Sequence, residues 1–129
     1  MNEIPENAFV IHRHMAKRAG LHFDLRMREG DSMRSWAIPK AHLPEKGEKL
    51  LAMETDLHEL ESYYLEGEIP DGEYGTGTME VFCRGTYETI ERTEKAWKFR
   101  LISDQCYGVF VLVHTGENRF IFMRGKDPV

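Results

Sequence analysis

The chain has 129 residues, of which 41% are hydrophobic and 30% are charged, and its formal net charge at pH 7 is −5. A chain of this length forms one domain with a sizeable core, and its acidic balance argues against a protein that coats nucleic acid. No apolar run is long enough to span a membrane, and residues 1–7 lack the features of a signal peptide. We therefore expect a cytoplasmic protein with no membrane partner. Cys83 and Cys106 show no pairing pattern, so a disulfide stays open and reduced thiols are the default.

In chain order, residues 1–8 are predicted to be a lead-in and residues 9–129 a single domain. Short strands are predicted at Phe9–Ile11 with an extension to His14, Leu21–Met27, Met33–Ile38, Leu50–Thr55, Met79–Cys83, Thr86–Ile90, Lys95–Ile102, Gly108–His114 and Arg119–Met123. Strands at intervals of about 8–12 residues indicate an antiparallel sandwich or a closed barrel. Asp56–Leu65 is predicted to form a short helix with Asp56 as its N-cap, because apolar residues recur at helical spacing from Leu57.

The segment Leu21–Met27 alternates with a period of two, and its odd-numbered residues are all apolar. Its even-numbered residues are His22, Asp24 and Arg26. Successive side chains of a strand point to opposite faces, so the apolar set would face a core and the polar set would share the other face. An imidazole, a carboxylate and a guanidinium on one face predict the floor of a site.

Histidines at His12, His14 and His22 lie close in sequence to Asp24. Neutral imidazole and carboxylate ligands suit Mn²⁺, Zn²⁺ or Fe²⁺, and two histidines with one aspartate leave coordination positions open for water or substrate. Arg26 shares the face of Asp24 and could bind a phosphate bidentately. Two other interpretations stay open at this point: the facial triad of a non-haem iron oxygenase, and a structural pair in which Asp24 only orients a ring.

Several ordered blocks of the chain resemble the 3′-phosphoesterase family, the end-healing module of bacterial DNA ligase D that also occurs as free-standing bacterial and archaeal proteins. The blocks are residues 9–14 (FVIHRH), 18–26 (RAGLHFDLR), 35–40 (SWAIPK), 66–78 (EGEIPDGEYGTGT) and 84–88 (RGTYE). The resemblance covers about residues 9 to 126, and the length of the chain suits a free-standing enzyme.

The resemblance implies a small closed antiparallel β-barrel of about eight strands with one or two short helices. It also implies a manganese-dependent enzyme, with Zn²⁺, Co²⁺ or another divalent metal as alternatives. Such an enzyme removes a 3′-terminal ribonucleoside and then the 3′-phosphate, leaving a 3′-OH. Its partners would be the 3′ end of a DNA or DNA–RNA primer-template and a ligase and polymerase of an end-joining system. We expect a monomer.

By motif position, the resemblance assigns the metal to His14, His22 and Asp24. It assigns the scissile phosphate to Arg26 and His58, with Lys40 as an accessory phosphate contact and Asp56 at a position where the family usually has Glu. These residues are the predicted site.

Two departures from the family's pattern lie beside His58. Glu59 stands where the family usually has Pro, and Ser62 stands where it has Tyr, although Tyr63 and Tyr64 follow. These departures keep a third function open, that of a non-catalytic binder of nucleic-acid ends. His12 is interpreted as a strand-surface residue or one that supports the ligands from behind.

Overall fold

The computed structural model describes residues 3–18, 20–69 and 77–127. Within these ranges the chain forms nine strands and one 3₁₀ helix. The strands are β1 (Ala8–Ala16), β2 (Gly20–Glu29), β3 (Ser32–Ile38), β4 (Lys49–His58), β5 (Gly67–Ile69), β6 (Gly77–Arg92), β7 (Ala96–Ile102), β8 (Tyr107–Gly116) and β9 (Arg119–Arg124), and the 3₁₀ helix is Leu60–Tyr64. The described residues include no helix that is long and apolar enough to cross a membrane.

Eight of the strands close into an antiparallel barrel. The order around it is β1-β2-β3-β4-β9-β8-β7-β6, and β6 pairs back to β1. β5 lies outside this ring and pairs with the first residues of β6. The closed barrel of about eight strands that the sequence predicts is therefore confirmed.

The core fills the barrel with alternate residues of each strand. Phe23, Leu25 and Met27 of β2 are at most 1% exposed and pack with apolar residues from the other strands of the ring. Burial of large apolar side chains contributes roughly 25 cal/mol per Å² removed from water. The alternation in β2 is confirmed, and its polar residues therefore lie on the outer face of the barrel wall.

β6 is one strand of 16 residues, where the sequence predicts two strands separated at Arg84-Gly85. Gly85 does not form a turn. Its position faces the main chain of Ile102, and a Cβ atom there would lie 2.1 Å from the Ile102 carbonyl oxygen. The glycine is needed for close approach of two strands, so the strand runs through it.

The helix predicted over Asp56–Leu65 is wrong in its first half. β4 continues to His58, which pairs with Met33 of β3, so Asp56 lies in a strand and caps no helix. Glu59 is extended, and the helix that follows is a 3₁₀ turn of five residues. Tertiary pairing along β4 overrides the local helical spacing.

A disulfide joins Cys83 of β6 to Cys106, the residue before β8. Both cysteines are at most 2% exposed and belong to the barrel core. The sequence left this pairing open, with reduced thiols as the default, because the 22 residues between them carry no spacing motif; the structure shows the disulfide instead. The turn-rich residues 70–76 lie outside the described part of the chain.

Candidate metal and phosphate site

The predicted site residues of β1 and β2 lie side by side on the outer face of the barrel wall. In the register of the two strands, His14 is the partner of His22, and His12 is the partner of Asp24. Directly opposite residues of an antiparallel pair share a face, with Cβ atoms about 4.5–5.5 Å apart. Three imidazoles and one carboxylate therefore form a compact patch.

His14, His22 and Asp24 could hold a metal ion. One nitrogen from each ring and one carboxylate oxygen all lie within 4.8 Å of one another. His14 Nδ1 donates to Asp24 Oδ2 at 3.2 Å, and His22 Nε2 lies 3.3 Å from Asp24 Oδ1. The Nε2 atom of His14 is buried and has no hydrogen-bond partner among the described residues. These donors fit a divalent cation of the Mn²⁺, Zn²⁺ or Fe²⁺ type.

The electrostatics of this cluster favour a bound cation. Burial would raise the pKa of Asp24, but hydrogen bonds from His14 and His22 outweigh it, and the pKa lies well below its usual range. The hydrogen bond to Asp24 raises the pKa of His22 against the opposing effect of burial. The carboxylate of Asp24 is therefore ionised between two imidazole rings, which suits the binding of a divalent cation.

Arg26 lies deep in the same wall. It is 1% exposed and pairs with Val10 on one side and Ser35 on the other. Its charge helps to lower the pKa of Asp24, His12 and His58. A buried guanidinium beside a metal cluster suits the binding of an anion with planar, paired oxygens, such as a phosphate.

His58, at the end of β4, completes the site on the side of the 3₁₀ helix. Burial and, after it, the charge of Arg26 lower the pKa of His58 to about 4. The ring is therefore neutral at pH 7 in the free protein. Its side chain hydrogen bonds the main chain of Asp56.

One pocket of about 340 Å³ collects six of the seven residues predicted for the site, together with small and hydroxyl-bearing neighbours. Its lining consists of His14, Ala16, His22, Asp24, Arg26, Ser35, Ala37, Thr55, Asp56 and His58. Lys40 is the exception. It is exposed in the bend after β3 and lines a separate depression with Lys49 and Glu48.

His12 was not among the predicted site residues, and it lies directly opposite Asp24 in the register of β1 and β2. It is fully buried, and its Nε2–H donates to the carbonyl oxygen of Leu65 at 2.8 Å. Burial lowers its pKa to about 4, and its Nδ1 atom has no hydrogen-bond partner in the described ranges. The sequence contained one indication of this position: His12 precedes His14 by two residues on one strand, so the two side chains lie on the same face.

The tyrosines near Ser62 do not reach the pocket. Ser62 is 4% exposed within the 3₁₀ helix. The hydroxyl of Tyr63 donates to the carbonyl of Gly85 at 3.4 Å, and Arg84 lies over the rings of both Tyr63 and Tyr64. These contacts hold the 3₁₀ helix against β6.

Fold and site together define a small antiparallel β-barrel with a candidate metal cluster and a buried arginine on its outer wall. The sequence pattern of the DNA ligase D 3′-phosphoesterase domain matches residues 12–114, and the chain belongs to this family.

Relatives of known description are multifunctional non-homologous end joining proteins named LigD. The chain is 34% identical over 126 residues to the LigD protein of Mycobacterium tuberculosis. This alignment covers 94% of this chain and 16% of the relative. The chain is 44% identical over 92 residues to the one from Mycolicibacterium smegmatis, covering 67% of this chain and 12% of the relative. The match to the Pseudomonas aeruginosa protein is 27% over 128 residues, or 92% and 15% of the two chains. The chain thus spans about a sixth or less of the length of these relatives.

Proposed function

We propose that the protein is a divalent-metal-dependent phosphoesterase that heals nucleic-acid 3′ ends. It would remove a 3′-terminal ribonucleoside and a 3′-phosphate from a primer strand. The observation that carries the proposal is the single pocket in which buried Arg26 and half-buried His58 lie beside the cluster of His14, His22 and Asp24. Membership of the 3′-phosphoesterase family supports it.

In the phosphatase reaction, water adds to phosphorus and the bond from phosphorus to the 3′ oxygen breaks. The strand leaves with a 3′-OH, and inorganic phosphate is the second product. The metal, Mn²⁺ in our proposal, would be held by His14, His22 and Asp24 and would supply charge neutralisation and an acidified water. The residues of the chain supply the rest of the binding energy for the transferring group.

Arg26 would bind two oxygens of the scissile phosphate through its planar guanidinium. His58 would act through its ring nitrogens. A dianionic phosphate offsets the charge of Arg26, which in the free protein helps to hold the pKa of His58 at about 4. Phosphate binding would therefore raise that pKa, and the protonated ring would donate to a phosphate oxygen or to the leaving group. Asp56 would orient the ring through its main chain, and Lys40 would contact the strand outside the pocket.

The first test uses a 5′-labelled DNA strand that ends in a 3′-phosphate or in ribonucleotides, annealed to a longer template. Conversion is measured with Mn²⁺, with EDTA, and with the His22→Ala variant. His42→Ala is a matched control, because His42 is exposed in a loop. We expect metal-dependent conversion that His22→Ala abolishes and His42→Ala retains. Equal activity of His22→Ala and the parent would contradict the proposed ligand set.

A non-catalytic end binder is the second candidate, because Tyr63 and Tyr64 contact Arg84 and do not line the pocket. It predicts tight binding of a 3′-phosphorylated end without product in the same assay. A non-haem iron oxygenase would leave buried Arg26 without a role, and it predicts Fe²⁺ dependence and a bound co-substrate.

The biological setting is also part of the proposal. The relatives are named for non-homologous end joining, and a 3′-OH is the end that a ligase or a polymerase requires. We propose that the protein prepares ends for such partners, as a monomer.

A further inference from the structure

A second pocket adjoins the site on the side of the 3₁₀ helix. It has a volume of about 320 Å³ and shares His58 with the pocket that contains the candidate metal ligands. This volume lies at the lower end of the roughly 300–1,000 Å³ that is usual for small-molecule pockets. The two pockets therefore meet at His58, and we refer to them together as the groove.

The backbone explains why the second pocket lies there. His58 pairs with Met33, so the β2–β3 turn, which carries Asp31, comes next to the residues that follow β4. Asp31, Glu59 and Glu61 give this pocket three carboxylates, and none of its lining residues is Lys or Arg. Leu57 also lines it and is 64% exposed, so it offers an apolar surface within reach of a ligand.

The other end of the groove has the opposite charge. The metal-site pocket ends at Ala16 and His22, on either side of the β1–β2 turn. This turn carries exposed Lys17 and Arg18. Lys40 follows β3, whose last residue pairs with Phe23, so it leaves the sheet beside His22. Basic residues thus lie beside one end of the groove, and carboxylates line the other end.

We infer that the groove fixes the direction of the substrate: the polynucleotide lies across the β1–β2 turn, and the terminal nucleoside occupies the acidic pocket beyond His58. This inference rests on the proposed function. A polynucleotide carries a phosphate at every residue, and those phosphates are attracted by Lys17, Arg18 and Lys40. The same phosphates would be repelled by the three carboxylates of the second pocket.

A terminal nucleoside fits the acidic pocket because it carries no charge beyond the scissile phosphate. Its ribose hydroxyls are donors, and carboxylates accept hydrogen bonds from them. Leu57 offers an apolar surface to a base. When the terminal nucleoside is removed, water adds to phosphorus and the bond from phosphorus to the nucleoside's 5′ oxygen breaks. The strand keeps a 3′-phosphate, and a neutral nucleoside leaves from the acidic side.

The inference predicts that the two reactions can be separated by filling the acidic pocket. Ser32 lines this pocket but not the metal-site pocket. Ser32→Trp should lower kcat/KM for ribonucleoside removal by about tenfold or more, because it occupies the space of the leaving nucleoside. Removal of a 3′-phosphate, which has no terminal nucleoside, should stay within about twofold of the parent. Leu57→Ser, at an exposed position, should show the same selectivity with a smaller loss. Ser103→Trp is the matched control, because Ser103 directly follows β7 and lines neither pocket.

The basic end is tested on both substrates. Replacing Lys17 and Arg18 by Gln should weaken both reactions and reduce the slope of log KM against log salt by about 1 to 2, since each phosphate contact to a single strand contributes about 0.7.

Two strands of identical sequence are compared, one ending in two ribonucleotides and one in a 3′-phosphate, each with Mn²⁺. Loss of both activities in Ser32→Trp and Leu57→Ser, or retention of both, would overturn the inference, as would phosphate removal alone in the parent. A parent protein that converts neither strand would refute the proposed function itself.

Discussion

Reduction of the Cys83–Cys106 disulfide should lower the free energy of unfolding without removing a packing contact. The two cysteines are 23 residues apart in sequence. The loop-entropy relation gives a stabilisation of about 3 kcal/mol for a loop of this length. Domains of this size unfold with an entropy near 2.1 cal/mol/K per residue, so this loss corresponds to a fall in Tm of roughly 12 °C.

The assay is thermal unfolding followed by circular dichroism, with and without a phosphine reductant, with free thiols titrated in denaturant before each scan. The Cys83→Ala/Cys106→Ala variant is the control, and its Tm should not respond to reductant. An unchanged Tm in a sample whose two thiols both titrate would refute the reasoning, because it would show that the link adds nothing to the closed barrel. Two free thiols in air-oxidised, unreduced protein would refute the pairing itself.

Three further predictions concern the wall of the barrel. Arg26→Lys should lower kcat/KM for phosphate removal by about 10- to 100-fold, because an ammonium cannot bind two oxygens in one plane; Arg13→Lys, at an exposed position, should have little effect, and equal losses would argue against a phosphate role for Arg26. The pKa of His12 is about 4 in the folded protein, against 6.5 in the unfolded chain. Its neutral ring therefore stabilises the fold fully above pH 6.5, and this contribution to the free energy of unfolding is lost as pH falls toward 4. His12→Gln should therefore lose about 3 kcal/mol less than the parent over that interval in urea titrations with EDTA, and parallel curves would contradict the assignment. Gly85→Ala should destabilise the fold by about 1–3 kcal/mol, because its Cβ meets the Ile102 carbonyl at 2.1 Å; an unchanged urea midpoint would mean that β6 and β7 separate easily.

Local alternation was sufficient to predict the strand that organises the site. In β2, Phe23, Leu25 and Met27 enter the core, and the even-numbered residues lie on the other face. His22, Asp24 and Arg26 could therefore be grouped before any pairing was known. The number and spacing of such strands predicted an antiparallel sandwich or a closed barrel, and the family resemblance selected the barrel.

Features that depend on pairing between distant segments could not be predicted in the same way. Asp56 looked like a helix cap because the pairing of Thr55 and His58 with β3, which keeps this segment extended, is not visible in the local sequence. Gly85 looked like a break because only Ile102, across the sheet, shows that close approach is its role. The burial of His12 depends on the carbonyl of Leu65, which is 53 residues away.

The placement of the site on the outside of a filled barrel has a consequence for how its sequence can vary. In the middle of β2, alternate residues have different roles: one set packs in the core, and the other set forms the candidate site. A one-residue deletion within β2 would shift the register of the residues on one side of it, so that polar site residues there would turn inward and the core residues between them would be exposed. Insertions and deletions between His14 and His22 are therefore expected in the β1–β2 turn, where they leave the pairing of the two strands unchanged.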